Sequence, residues 1–360
     1  RPADVKMTGH PLPGLAQELQ ILDQGTELSL PNLSEAAVGD YLLRRFTNMA
    51  LPAGLVALLY QRTAGNPLFV RAVVDAWVAQ GVLAEQNGQW TLQVGLDGLG
   101  VGLPNNLRRL IELQLIRLDT ANQNILEVAS VVGTEFAAAA LAASLTMTEE
   151  EIEARCEILA QQGQFLHPSG LAEWPDGTVS ACFEFSHQLY QEVLYERVTT
   201  GRRVRLHRQI GRRLEQGYGS RAPEKATELA LHFRQGRDSS RAVTYLRFAA
   251  EQAMQRNAYR EAIEHLTQAL EILDRHPDLP ERDQHELELQ LILGPALLMT
   301  QGWTSVQAEQ AYIRARELGH VSNTRQLASA LYGLATVYEL RGEYIKTQKI
   351  LEERLRLPGD

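Results

Sequence analysis

The chain has 360 residues, 44% hydrophobic and 22% charged, and its 44 acidic side chains outnumber 35 Lys and Arg for a formal net charge of −9. That length predicts two or three domains with ample material for packed cores, and the acidic balance excludes a surface built throughout to grip nucleic acid or anionic lipid. Cys156 and Cys182 stand far apart and form no C-x-x-C pair, so neither a disulfide framework nor a zinc site is expected.

Arg1-Pro2-Ala3-Asp4 lacks the apolar stretch of a signal peptide, and no run approaches the roughly eighteen apolar residues that span a bilayer, so the expectation is a cytoplasmic protein without a membrane partner. Opening without Met and closing on Pro358-Gly359-Asp360, the chain reads as a segment of a longer polypeptide with an incomplete C-terminus.

Ser34 is placed to cap a helix whose Val38, Tyr41, Leu42 and Phe46 share one face. A second helix is expected from about Pro52, then a break at Thr63-Ala64-Gly65-Asn66-Pro67, then an amphipathic helix from Leu68 to Gly81. Weak alternation over 82–102, ending in the Gly-rich stretch Gly95 to Gly102, predicts a hairpin and linker.

Leu103-Pro104-Asn105-Asn106 opens the next helix, which carries Leu107, Leu110, Ile111 and Leu118; further helices are expected near 121–132 and 136–145. Thr148 and Glu151 form a capping box for a helix whose Ile152, Cys156 and Leu159 share a stripe, which makes Cys156 a core residue. Gln164 to His167 and Val179 to Phe185 flank the turn residues Trp174-Pro175-Asp176-Gly177, a β-hairpin signal. Helices followed by a hairpin describe a winged helix.

From about 223 onward helix follows helix, with Glu224 to Gln235 first. The tetratricopeptide template fits Ala250, Tyr259, Ala262, Leu266 and Ala269, then Ala296, Trp303, Ala308, Tyr312 and Ala315. It fits a third time at Leu331, Leu334, Ala335, Tyr338, Gly342, Tyr344 and Leu351. These registers begin near 243, 289 and 328, and the aromatic and alanine positions are expected in the packing between helices. The fold class is therefore mainly α: a helical lid and winged helix followed by an α-α superhelix.

Two blocks carry functional information: Gly65-Asn66-Pro67-Leu68-Phe69, and Phe183-x-Phe185-x-His187. A phosphate-gripping loop needs G-x-x-x-x-G-K-[ST], and the chain has no Gly-Lys pair, so this chain by itself is not expected to hydrolyse ATP. The first block follows Leu28-Ser29-Leu30-Pro31-Asn32-Leu33-Ser34 and a helix with Tyr41-Leu42-Leu43-Arg44-Arg45-Phe46. In that order it resembles the small helical lid of the signal-transduction ATPases with numerous domains, a branch of the AAA+-like P-loop NTPases.

That resemblance implies several assignments. Pro67 would pack near adenine with Gly65 as its flexible neighbour; a proline offers a rigid wall with no N–H against a flat base. His187 would touch the β-phosphate of ADP and lock a closed state. Arg1, in an Arg1-Pro2-x-Asp4 stretch that lacks the family's threonine, would be the γ-phosphate sensor.

The implied modules are the end of a nucleotide-binding module with its lid (1–100), a winged helix (101–200), linker helices (201–240) and tetratricopeptide-like repeats (241–360). The cofactor would be ATP or ADP, with Mg in the full-length parent, and the P-loop module would lie outside the chain. The repeats would bind a protein partner or effector. In bacterial relatives the output is a nucleotide cyclase, a kinase or a DNA-binding helix-turn-helix, and none is visible here. The resemblance would make the chain the regulatory part of an ATP/ADP-switched ATPase.

Two other readings stand beside it: a stand-alone interaction scaffold without nucleotide, and a winged-helix transcriptional regulator. The latter rests on Arg202-Arg203-Val204-Arg205-Leu206-His207-Arg208-Gln209-Ile210-Gly211-Arg212-Arg213-Leu214. There Leu206, Ile210 and Leu214 recur every four residues and are expected to be buried, leaving the arginines as a solvated face, so DNA is not the expected partner. Ser186-His187 is no catalytic pair, since adjacent helical residues do not face each other. Nine scattered histidines show no metal-ligand spacing.

Overall fold

The computed structural model describes residues 30–96 except 47, 50 and 87, then 105–322 and 324–357, with a few isolated positions before 30. Arg1 and the Arg1-Pro2-x-Asp4 stretch lie outside the described residues. The fold is mainly α, and it divides into two compact units, Arg1–Glu173 with Val179–Thr199, and Trp174–Thr178 with Thr200–Asp360.

The first unit begins with α1 (Glu35–Arg45), whose N-terminus is capped by Ser34 through the Ala37 amide. Helix α2 (Leu55–Thr63) stops because Ala64 and Gly65 both take left-handed backbone conformations. Asn66 then caps α3 (Pro67–Ala79), its Oδ1 accepting from the Leu68 and Phe69 amides, and Pro67 occupies the first helical position, where no N–H is needed. Val38, Leu42, Leu55, Leu59, Phe69 and Val74 bury the facing sides of these helices. The expected hairpin follows as β1 (Leu83–Gln86) and β2 (Gln89–Leu92), antiparallel, with Trp90 against Phe46.

Next come α4 (Asn105–Leu115), α5 (Thr120–Val132), β3 (Glu135–Ala137), α6 (Ala138–Ala142) and α7 (Glu149–Gln162). The predicted capping box of Thr148 and Glu151 is present on α7, and Cys156 is fully buried, its thiol pushed up to about 12 by desolvation, then by Glu153. The predicted helix over 136–145 is instead a three-residue strand and a short helix. Phe136 is drawn onto a sheet by Phe183 and Phe185, and the Thr134 carbonyl accepts from the Phe185 amide.

That sheet has the order β3-β5-β4 and is antiparallel, with β4 (Leu166–Glu173) and β5 (Val179–Phe185) as the hairpin. Strand β4 is longer than the predicted Gln164 to His167. It runs at the sheet edge, so Pro168 removes no needed donor, and a bulge between Pro168 and Gly170 absorbs the irregularity. Helix α8 (Gln188–Arg197) closes the unit.

The second unit opens on α9 (Thr200–Tyr218), where Leu206, Ile210 and Leu214 are buried as the spacing predicts. Of the arginine cluster, Arg208 donates to the Gly236 carbonyl, and Arg213 pairs with Asp176, donates to Thr178 and lies over the Trp174 ring. A 3-10 turn (Gly219–Lys225) leads to α10 (Ala226–Gln235). His207 on α9 and His232 on α10 place their Nδ1 atoms 3.0 Å apart in the interior.

Three helix pairs then stack: α11 (Ser239–Gln255) with α12 (Tyr259–Arg275), α13 (Arg282–Gln301) with α14 (Val306–Ser322), and α15 (Thr324–Leu340) with α16 (Tyr344–Leu355). Each helix packs on the next, and α11, α13 and α15 also touch in series, as a superhelical repeat requires. Turns recur as well. Arg237, Asn257 and Gly342 all have positive φ, and each is followed by an amide that reaches back to the Phe233, Ala253 or Tyr338 carbonyl. The buried Glu286 carboxylate ties α13 to α14 by pairing with Arg314.

The pairs begin at 239, 282 and 324, offsets of 43 and 42 residues, more regular than the template's 243, 289 and 328. Two aromatic residues that the template assigns to packing positions do not pack: Trp303 is 50% exposed and Tyr344 70%. The true packing centre of the last pairs is Tyr312. Its ring lies against the bare backbone of Gly294 and Gly333, and a Cβ on either glycine would overlap it.

Candidate functional site

The two sequence blocks meet. Phe69, which ends the first, touches His187, which ends the second, with ring centroids 4.9 Å apart at 88°. Phe69 is fully buried in the α3 core, and His187 begins α8 directly after β5, so both are fixed by secondary structure. Tyr190, one turn into α8, meets Phe69 at 5.7 Å and Phe165 at 5.0 Å, and its hydroxyl bonds Gln114 of α4.

Around this cluster lies a cleft of about 520 Å³, whose wall includes Asn66, Pro67, Gln162, His167, Ser186 and His187. Pro67 and His187, two of the residues singled out in the sequence, are thus brought to one cleft. Gly65 sits in the turn beside it, where its carbonyl accepts from the Leu33 amide at 2.8 Å, and Arg1 lies outside the described residues.

His187 is only 8% exposed, and its Nδ1 accepts from the Leu189 amide at 3.0 Å, which caps α8. That bond sets the tautomer: a neutral ring whose Nδ1 accepts carries its hydrogen on Nε2. Burial holds the ring's pKa below its ordinary value, and a backbone interaction with Thr63 opposes this; Nε2 itself is enclosed and makes no well-formed hydrogen bond. Ser186 Oγ and Gln162 Oε1, in the same wall, are likewise enclosed and unpaired. Two unpaired polar atoms and one weakly partnered one, all on residues of one cleft wall, are a concentrated departure from the usual pairing of buried groups.

The described lining residues include no Lys, Arg, Asp or Glu. This wall can therefore offer neutral donors and acceptors and an apolar face, but no counter-charge for a phosphate chain. Among the described residues no group of His, Cys, Asp and Glu is placed to hold a metal ion, and no helix is long and apolar enough to cross a membrane.

Sequence reasoning missed Asn66 as the cap of α3 and the glutamines of the wall. Asn66 had a local signal, since Asn before Pro is a helix-start pattern. Gln114 and Gln162 had none, because only the tertiary fold brings α4 and α7 to the cleft.

No family model matches the chain. An uncharacterized protein of Rhizobium meliloti (strain 1021) is 25% identical over 256 residues; these are 71% of this chain, which spans only 24% of that protein's length. Among solved structures, the crystal structure of a signal transduction ATPase with numerous domains carrying a tetratricopeptide repeat sensor, from Pyrococcus horikoshii, covers 92% of this chain and 55% of that one. The two are 12% identical, with a TM-score of 0.31.

Proposed function

We propose that the chain is the regulatory part of a nucleotide-switched signalling protein: a lid and winged helix in the first unit, a protein-sensing repeat stack in the second. The observation that carries this reading is the contact of Phe69 with His187, which joins the lid block and the winged-helix block at one cleft. The Nε2–H of His187 makes no well-formed hydrogen bond beyond its backbone interaction with Thr63, so it is the donor that a phosphate oxygen would engage if the cleft opened to it. Pro67 and the neutral wall fit one edge of ADP or ATP, and the cations for the phosphates would come from a P-loop module outside the chain, together with Mg. Bound there, the nucleotide would supply the difference between a closed and an open state; these residues hold and report it without chemistry of their own.

The test is ADP binding by calorimetry on the protein extended upstream of Arg1 to include a phosphate-binding loop. His187→Asn keeps an oxygen to cap α8 but removes the Nε2 donor, so it should weaken ADP about tenfold, the loss of one hydrogen bond to a charged group, while the lost ring packing on Phe69 lowers stability without unfolding the unit. Equal ADP affinity in the two proteins would remove His187 from the switch. A second reading, a scaffold without nucleotide, is favoured by the absence of any cation among the described cleft residues, and no ADP binding by the extended protein would establish it.

A further inference from the structure

We propose that the groove between α13 and α15 binds a peptide segment of a partner protein that presents an acidic side chain beside an aromatic or large aliphatic one. This rests on the reading of the repeat stack as a protein-binding element and adds the chemistry of the partner.

The groove has a volume of about 840 Å³ and lies wholly within the second unit. Its rim carries three large side chains that are half exposed or more, Met299 at 53%, Trp303 at 50% and Tyr332 at 60%. Scattered singly on a surface these would be ordinary; around one groove they form the aromatic anchor set on which protein contacts concentrate. The floor is fixed, because Tyr312 is held from both sides by the glycine backbones at 294 and 333. A rigid floor under an exposed rim is preorganised for an extended segment, whereas a small-molecule site encloses most of its ligand.

Charge decides the partner. In a chain of net charge −9, the described lining residues include Arg325 and Arg354 and no Asp or Glu. The Arg354 guanidinium lies 5.3 Å from the centre of the Tyr332 ring. Among the described residues no carboxylate pairs with it, although most arginines of the repeats have one, such as Arg314 with Glu286 or Arg341 with Glu309. A guanidinium over an aromatic face keeps its fork of N–H donors for a carboxylate. The segment would lay its apolar side chain between Trp303 and Tyr332 and bring its carboxylate to Arg354.

The experiment is selection of random twelve-residue peptides displayed on phage against the full chain. Peptides pairing Asp or Glu with Phe, Tyr, Trp or Leu should be enriched. A synthetic copy of the strongest should lose at least about tenfold in affinity against Arg354→Glu and against Tyr332→Ala, the usual effect of a central contact. Both positions are exposed, so the variants should fold. Enriched peptides without an acid, or acidic peptides whose affinity neither substitution changes, would overturn the groove assignment and leave a protein-binding stack standing. No enrichment at all would remove both.

Discussion

Gly65 and Leu33 meet backbone to backbone: the Leu33 amide donates to the Gly65 carbonyl at 2.8 Å, and a Cβ on Gly65 would be driven into the Leu33 carbonyl oxygen. With φ of 69°, the position also demands a left-handed conformation. Glycine is therefore required here by close approach as well as by the turn, whether or not a nucleotide is ever near.

Gly65→Ala should destabilise the first unit by about 2 kcal/mol or more, through strain and backbone overlap together. Hydrogen exchange would show faster amides at Leu33 and through α2 and α3, with the repeat helices unchanged. Unaltered protection at Leu33 would mean that the turn reshapes freely.

The Tyr312 notch makes a sharper case. Gly333→Ala should cost about 1–3 kcal/mol by overpacking. Combined with Tyr312→Leu, the penalty should be less than the sum of the two single changes by at least about 1 kcal/mol, because the smaller side chain vacates the space the new methyl needs. Strict additivity in denaturant unfolding would show that the ring is not the obstacle.

His207 and His232 predict an acid sensitivity. Burial pushes both below their ordinary 6.5, and His207 is lowered further by His232 and by the charge of Arg203. Their unfolded forms take up protons as pH falls through 6.5 while the folded pair stays neutral. Stability is thus complete above 6.5 and declines below it, by about 1.4 kcal/mol per pH unit for each fully shifted histidine. Unfolding measured from pH 7.5 to 5 should show this slope, and His232→Asn should reduce it. An unchanged slope would place the acid sensitivity elsewhere.

Arg237 and Asn257 occupy equivalent left-handed turn positions, with φ of 55° and 59°. Arg237→Gly should stabilise the second unit by about 0.5–1 kcal/mol, since relief of the Cβ clash exceeds the added freedom of the unfolded chain. Asn257→Gly should change little, as asparagine tolerates this conformation. A melting temperature lowered by Arg237→Gly would contradict the expectation.

What was legible in the sequence follows from range. The Ser34 cap, the Thr148–Glu151 box and the burial of Leu206, Ile210 and Leu214 depend on neighbours within a helical turn or two, and pattern alone gives them. Strand β3 depends on Phe183 and Phe185, nearly fifty residues downstream, so a window around 136, dominated by the alanines at 137–140, reads helix. In the repeats, the template gave too much weight to Trp303 and Tyr344, whose rings face solvent, and too little to Gly294 and Gly333, where the absence of a side chain makes the contact. At the cleft, the two blocks could be seen separately, but their meeting at Phe69 and His187 could not.

The tip of the β4–β5 hairpin has a further consequence. Trp174–Thr178 belongs to the second unit, although the strands on either side of it belong to the first. Trp174 fills the bare flank of α9 at Gly217, where a Cβ would strike its ring, and the Gly217 carbonyl accepts from the Asp176 amide at 3.1 Å. The polypeptide therefore passes from one unit to the other three times, and no single cut separates them. A piece beginning at Thr200 would leave α9 without the indole that covers it, and a piece ending at Thr199 would carry that indole with nowhere to bury it. Any exchange of the repeat stack between proteins of this architecture, in evolution or in the laboratory, would have to move five residues from the middle of a hairpin along with it.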